Sequence, residues 1–191
     1  MQGILFRPEM IKAIVNGSKA VTRRLIKPQP DDKDGNMLLI GGRWKYDYTV
    51  AKEYARYRVG EVVYIKEAHY RLGYYKEKRF IPSFFRLQKG ICFETPDILP
   101  ISPHQVGWHK RSPLFMPEWA ARTFIQITGV RAERLHEITE VDAMAEGVEN
   151  MGQISAVVMY THLWNSINSK NMWSSNPWVW VYQFKLVEKP K

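Results

Sequence analysis

Segment 17–24 places a lysine, a hydroxyl and two adjacent arginines directly after the predicted end of a helix. Lys19 supplies a compact positive charge and Thr22 a hydroxyl, while Arg23 and Arg24 carry planar guanidinium groups that bind oxyanions through paired hydrogen bonds. Together these groups could hold a phosphate. The alternative is that they are solvated residues of an edge strand.

The overall charge suits a polyanionic partner. The chain has 28 Lys and Arg against 19 Asp and Glu, which gives a formal charge of +9. Basic residues concentrate in 1–27 and 52–89, whereas 133–149 leans acidic, so we expect one positive side. This pattern favours RNA or DNA as the partner, with a merely solubilising surface as the alternative.

Length and composition indicate one globular domain. The chain has 191 residues, 45% of them hydrophobic and 25% charged. No stretch approaches the roughly 20 apolar residues that span a bilayer, and Arg7 and Pro8 come too early for a signal peptide, so we expect a cytoplasmic protein without a membrane partner. The single cysteine, Cys92, excludes an internal disulfide. It lies near His104 and His109 without a recognised ligand spacing, and we expect neither a metal nor a cofactor.

Helical and strand patterns alternate along the chain and favour the α+β class. Pro8 suits a first helical turn, and Asn16-Gly17 suits a left-handed stop. Thr139 is a candidate N-cap for a short helix that ends at Glu146-Gly147. The remaining predicted elements are strands at 59–68, 121–135 and 178–187, the last apolar on both faces, and an amphipathic helix at 154–168.

Two stretches, 28–56 and 69–115, are predicted to be long insertions. The second, extended to Pro117, is rich in proline, and we expect it to be irregular with one hairpin around 90–94. In the first, Trp44 lies among tyrosines and basic residues, where aromatic rings could stack on unpaired bases. The tryptophans at 164, 178 and 180 are assigned to the core.

Six motifs, taken in this order and spacing, resemble the ASCH family, especially its phage and prophage members. They are Arg7-Pro8-x-Met10, Gly17-x-Lys19-x-x-Thr22-Arg23-Arg24, Gly60-Glu61-Val62-Val63-Tyr64-x-x-Glu67, Met116-Pro117-x-Trp119-Ala120-x-Arg122, Glu140-x-Asp142-Ala143-x-x-Glu146-Gly147 and Asn176-Pro177-Trp178-Val179-Trp180-Val181. The resemblance covers nearly the whole chain. It implies a PUA-like β-barrel flanked by short helices, with long loop insertions and an RNA-binding cleft beside the first helix.

The family positions, the basic residues and the aromatic cluster around position 44 together suggest which residues line that cleft. The candidates for nucleic-acid binding are Arg7, Lys19, Arg23, Arg24, Trp44, Glu67 and Arg122. Glu67 has a second interpretation, as an ion-pair partner of Arg24 or Arg122. In either role, neighbouring cations favour its ionised form.

Part of the superfamily is similar to a small bacterial amidohydrolase that removes acetyl groups from the exocyclic amine of cytidine. Its lysine, threonine and glutamate fall on Lys19, Thr22 and Glu146 of this chain. The resemblance implies that Lys19, with a lowered pKa, takes the proton of Thr22 as that hydroxyl attacks the acyl carbonyl, and that Glu146 protonates the leaving amine. Residues three apart on a regular strand face opposite sides, so the backbone must bend between Lys19 and Thr22.

Three functions are therefore open at the level of sequence. The first is binding of RNA, DNA or a modified nucleobase in a basic cleft. The second is hydrolysis of an acylated nucleoside by Lys19, Thr22 and Glu146. The third is a phage structural or assembly protein that uses the fold for protein contacts, which a large exposed apolar patch would favour.

Overall fold

A mixed β-sheet forms the centre of the computed structural model, which describes residues 1–27, 29, 37–40, 43–46, 55–83, 90–97, 99–148, 152 and 154–190, with only the backbone at 37–40 and 43–46. Its strands, in spatial order, are β1 (Gly3–Leu5), β5 (Val62–Lys66), β10 (Phe124–Arg134), β11 (Trp178–Val187) and β2 (Val21–Leu25). β1 pairs parallel to β5, and the other neighbours are antiparallel. The sheet therefore begins at β1 and ends at β2, the two strands that flank α1 (Pro8–Val15) in sequence.

β-Branched and aromatic residues explain the two long strands. β11 lies in the middle of the sheet and is buried on both faces over Trp178–Tyr182, as its uninterrupted apolar run predicts. β10 pairs with it along its whole length, with a register shift between Ile127 and Gly129. A Cβ at Gly129 would lie 2.5 Å from Gln183 Oε1, so a side chain there would have to displace the end of the Gln183 side chain.

Residues of the sheet pack into two large hydrophobic cores, and a third, smaller cluster includes Tyr64 and Phe124. One face, including Ile127, Trp180 and Tyr182, packs with Phe6 and Ile14 near α1. The other face, including Val21, packs against α2 (Glu140–Ala145) and α3 (Ala156–Ile167). β2 contributes Val21 and Leu25 to the helical side, and Ile26, which follows the strand, packs in the other core.

The helices begin and end where the sequence predicts. α1 has Pro8 in its first turn and ends before Asn16, with Gly17 at φ +83°. The Thr139 hydroxyl caps α2 by accepting a hydrogen bond from the Asp142 N–H, and the helix stops at Glu146 with Gly147 at φ +85°. α3 matches the predicted helix at 154–168 within two residues.

The expectation of an irregular stretch from 69 to 117 is wrong. This region forms a second sheet from β6 (His69–Lys76), β7 (Arg79–Pro82), β8 (Ile91–Cys92) and β9 (Gly107–Arg111). The β6–β7 hairpin turns at Glu77-Lys78, both with positive φ, instead of at the Gly or Asn that normally marks such a turn. The predicted hairpin around 90–94 is replaced by β8, which pairs with β6.

A further hairpin, β3 (Met37–Ile40) and β4 (Arg43–Tyr46), lies within the predicted insertion at 28–56. Trp44 is on β4 opposite Leu39. Its side chain is outside the described residues, so its stacking role stays a prediction.

The α+β class predicted from the sequence is confirmed. In the described ranges, no helix is long and apolar enough to cross a membrane.

Candidate functional site

A buried ion pair between Lys19 and Glu146 lies at the centre of the candidate site. Lys19 Nζ donates to Glu146 Oε2 and to the Glu146 backbone carbonyl oxygen, at 2.6 Å each. The side chains are 0% and 4% exposed. Burial lowers the pKa of Lys19 below its ordinary value because it penalises the ammonium form, although Glu146 acts in the opposite direction.

The backbone places this lysine outside the regular strand. The Lys19 N–H donates to Ala13 O of α1, and the residue forms an isolated β-bridge with Glu146 before β2 begins at Val21. The two-residue alternation of β2 therefore does not extend back to Lys19, which supplies the break that the sequence argument required between Lys19 and Thr22.

A pocket of about 280 Å³ opens between α1, β2 and α3. Both Thr22 and Glu146 line it, whereas Lys19 lies outside its wall and reaches it through Glu146. Thr22 is buried, and its hydroxyl forms no hydrogen bond with any residue that the structure describes. A hydroxyl in this position is available to a ligand.

Three aromatic rings surround these polar groups. Phe6 precedes α1, and Tyr160 and Trp164 lie one turn apart on α3, all at the pocket wall. The Tyr160 hydroxyl donates to Glu146 Oε1 at 3.3 Å. Burial and the nearby Glu146 raise the pKa of Tyr160 well above its ordinary value, so the phenol stays protonated and acts as a donor.

Arg23 anchors the opposite side of Glu146. Its Nη2 lies 2.7 Å from Glu133 Oε1 and 2.9 Å from Asp142 Oδ2, and its Nη1 lies 3.4 Å from Glu146 Oε1. Burial opposes its charge, but Glu146 and Glu133 outweigh that effect and raise the pKa of Arg23. Arg23 lines the pocket and also holds the Glu146 carboxylate in place; its predicted contact with nucleic acid stays a prediction.

Arg24 points to the other side of β2, toward Phe6. Its guanidinium carbon lies 5.0 Å from the Phe6 ring centroid, and Nη2 donates to Leu5 O on β1 at 2.6 Å. Its Nε is buried and has no hydrogen-bond partner within the described ranges. Burial lowers the pKa of Arg24, with Glu146 acting against this effect. Arg24 lines the pocket and makes no ion pair with the described carboxylates.

Arg7 stands at the mouth of the pocket, exposed and held by two hydrogen bonds to Ser166. Its position agrees with the predicted cleft beside the first helix. Tyr160 and Trp164 were not assigned to the site from the sequence. They are four residues apart and so lie on one face of α3. This spacing could have identified Tyr160 as a site residue if Trp164 had been considered for the site and not for core packing alone.

Glu67 and Arg122 do not belong to this pocket. Arg122 Nη2 lies 2.7 Å from Glu67 Oε2, which agrees with the alternative interpretation of Glu67 as an ion-pair partner. The pair lines a separate, more open pocket beside Lys12 and Leu186. The reason is topological, because Glu67 follows the end of β5, on the far side of β10 and β11 from β2.

No cluster of His, Cys, Asp or Glu within the described ranges is arranged to bind a metal ion. No protein-family model, curated protein or solved structure matches the chain at a significant level.

Proposed function

We propose that this chain is an ASCH-type domain that binds a base of RNA or DNA, or a modified nucleoside, in the pocket between α1, β2 and α3. The observation that carries the proposal is the convergence of Thr22, Arg24 and Glu146 with three aromatic rings around about 280 Å³. Ring faces suit a planar base, and a few polar groups suffice to fix its orientation.

The polar groups favour a base that carries an exocyclic amine beside a ring carbonyl. Glu146 accepts hydrogen bonds, as a carboxylate does from the amine of cytosine, and Arg24 donates them to carbonyl oxygens. The exposed Arg7 at the mouth and the net charge of +9 add attraction for a polyanion. The ligand class that fits these features is a cytosine-like base, free or in a strand.

The proposal includes the PUA-like barrel. β1 and β2 are the end strands of the sheet, yet Arg24 of β2 donates a hydrogen bond to Leu5 O of β1. Both ends also line a common pocket. The two ends of the sheet therefore approach each other. In a barrel of this kind, the contact between Arg24 and Leu5 would take the place of hydrogen-bonded pairing between β1 and β2.

Calorimetric titration with nucleosides and with short single-stranded RNA and DNA tests the binding proposal. We expect saturable binding of cytidine-type ligands, with strand affinity that falls as salt rises. A protein that binds neither nucleosides nor strands at low salt would overturn it. Thr161→Val is a suitable control variant because the Thr161 hydroxyl is bonded within α3 to Val157 O.

A second candidate is hydrolysis of an acylated exocyclic amine. It is favoured by the lowered pKa of buried Lys19 and by the Thr22 hydroxyl, which no described residue engages. Thr22 Oγ would attack the acyl carbonyl, its proton passing to the Lys19–Glu146 pair and from there to the departing amine. Water would then hydrolyse the threonyl ester, releasing the acid and regenerating the hydroxyl.

Incubation with N4-acetylcytidine, followed by chromatography, distinguishes the two candidates. Turnover that disappears in both Thr22→Val and Lys19→Arg supports hydrolysis. Arginine keeps the positive charge at position 19, but its guanidinium does not lose a proton at neutral pH and so cannot act as a base. Binding without turnover leaves the pocket as a recognition site.

A further inference from the structure

A second pocket of about 300 Å³ lies against the first one and shares Leu5 and Arg24 with it. It is formed where the end strands β1 and β2 approach each other, and Trp180 and Tyr182 of β11 close its floor. Its lining includes Arg24, Arg56 and Lys66 and no acidic residue.

The described parts of the protein neutralise these three cations only in part, through the effect of the Glu146 charge on Arg24. None of them forms an ion pair there: Arg24 donates to Leu5 O, Lys66 donates to Leu114 O at 3.2 Å, and Arg56 lies over the Tyr57 ring at 5.4 Å. Arg24 Nε is buried without a partner. Burial opposes the charge of Arg24, and an anion in the cavity would offset that cost.

The glycine at position 3 leaves space for the Lys66 side chain beside β1. Gly3 lies on β1 opposite Tyr64, and a Cβ at Gly3 would lie only 2.5 Å from Lys66 Cε. Glycine therefore leaves room for the Lys66 side chain to cross β1 toward the pocket.

We propose that this second pocket is a phosphate site, so that the ligand is a nucleotide whose base occupies the first pocket and whose phosphate lies among Arg24, Arg56 and Lys66. The inference deepens the proposed function and rests on it. Arg24 lines both cavities and would contact both parts of one molecule. The shared chemistry is a phosphate attached to the base through its sugar, either a terminal monophosphate or a phosphodiester of a strand.

Calorimetry with cytidine, cytidine 5′-monophosphate and a cytidine-containing trinucleotide tests the assignment. We expect the monophosphate or the trinucleotide to bind at least about tenfold more tightly than the nucleoside, because the phosphate adds charged hydrogen bonds that the nucleoside lacks. A larger gain in affinity for the monophosphate would indicate a site for a terminal phosphate, and a larger gain for the trinucleotide a site for a phosphodiester within a strand.

Variants separate the second pocket from the first. Lys66→Gln and Arg56→Gln should each remove most of the gain from the phosphate and leave nucleoside affinity within about twofold, because neither residue lines the first pocket. Lys110→Gln, at an exposed position on β9, is the matched control and should keep the gain.

The outcomes distinguish the two proposals. Equal affinity for nucleoside, monophosphate and trinucleotide would overturn the phosphate site and leave the base pocket intact. A gain that persists in Lys66→Gln and Arg56→Gln would also overturn it. Binding of none of the three ligands would overturn the base pocket, and the phosphate site with it.

Discussion

Lys19 Nζ donates hydrogen bonds to both the carboxylate and the backbone carbonyl oxygen of Glu146, and the same two residues pair as an isolated β-bridge. One lysine thus ties the end of α2 to the segment between α1 and β2. The contact also fixes the carboxylate at the pocket wall. The two charges stabilise the fold only when both are present, because either charge alone would be buried without compensation.

Lys19→Met should destabilise the protein by about 3–5 kcal/mol, since it leaves the Glu146 carboxylate buried without its closest cation. Urea denaturation followed by circular dichroism measures the loss. The double variant Lys19→Met with Glu146→Leu should be more stable than Lys19→Met alone, because no unpaired carboxylate remains. A double variant that is less stable by the sum of the two single losses would show that the pair is not coupled.

Thr22→Val should lower ligand affinity by about five- to tenfold, the amount expected for one hydrogen bond. Thr22 is buried, but its hydroxyl makes no hydrogen bond with a described residue, so the free energy of unfolding should change little. Calorimetry and urea denaturation on the same preparation measure both quantities. Thr161→Val should alter neither affinity nor the ligand range, and an unchanged affinity in Thr22→Val would remove Thr22 from the site.

If the pocket hydrolyses acylated amines, the rate should rise with pH toward the lowered pKa of Lys19. The neutral amine is the form that accepts a proton, and burial shifts its formation below the ordinary pKa of 10.5. A pH–rate profile of the wild-type protein checks this. A rate that falls as pH rises from neutrality would contradict Lys19 as the base.

The local pattern in the sequence predicted much of the framework of the site. Asn16-Gly17, Thr139 and Glu146-Gly147 marked helix ends correctly because caps and left-handed positions need particular residue types. The pairing of β2 with β11 and the approach of β1 to β2 depend on contacts distant in sequence, which no local pattern encodes. For this reason the ion pairs of Arg23 with Glu133 and Asp142 were not predicted.

The second sheet was missed for a different reason. Its hairpin turns at Glu77-Lys78, two residues that seldom adopt positive φ, so the usual turn signal was absent. The prolines between 82 and 117 also suggested irregular chain, although most of them lie outside β6 to β9. Burial of His69 on β6 was therefore not expected.

His69 should make the protein less stable in acid. It is buried, Nδ1 is in hydrogen-bond contact with Glu67 O, and Nε2 has no partner in the described structure. Burial lowers its pKa below the ordinary 6.5, with a smaller opposing effect from Glu67 O and further lowering by Arg111 and Arg71. Between the lowered pKa and 6.5 the unfolded chain binds more protons, so stability falls as pH falls through this window.

Urea denaturation at pH 5 and pH 7.5 measures that loss. His69→Gln should show a smaller difference between the two pH values than the wild-type protein. His162→Gln, at an exposed position on α3, should keep the wild-type difference. An equal pH dependence in all three proteins would exclude His69 as the source.

Gly147→Ala should destabilise the protein more than Gly17→Ala, although the two glycines have nearly the same backbone conformation. Their φ angles are +85° and +83°, so an alanine at either position costs about 1–2 kcal/mol in the left-handed region. A Cβ at Gly147 would also lie 3.0 Å from Lys19 Cβ and 3.2 Å from Ala13 Cβ, whereas Gly17 has open space. The additional loss of stability expected in Gly147→Ala therefore measures how closely the end of α2 approaches Lys19.

The same pair of variants tests whether that approach positions the carboxylate for the ligand. Displacement of Lys19 moves its hydrogen bonds to Glu146, so Gly147→Ala should weaken nucleoside binding, while Gly17→Ala should not. Urea denaturation and calorimetry on both variants measure the two effects. Gly147→Ala and Gly17→Ala could instead lose the same stability, with affinity unchanged in Gly147→Ala. That result would mean that the pocket tolerates movement of the Lys19–Glu146 pair. Thr22 and Arg24 would then have to hold the ligand without help from this pair.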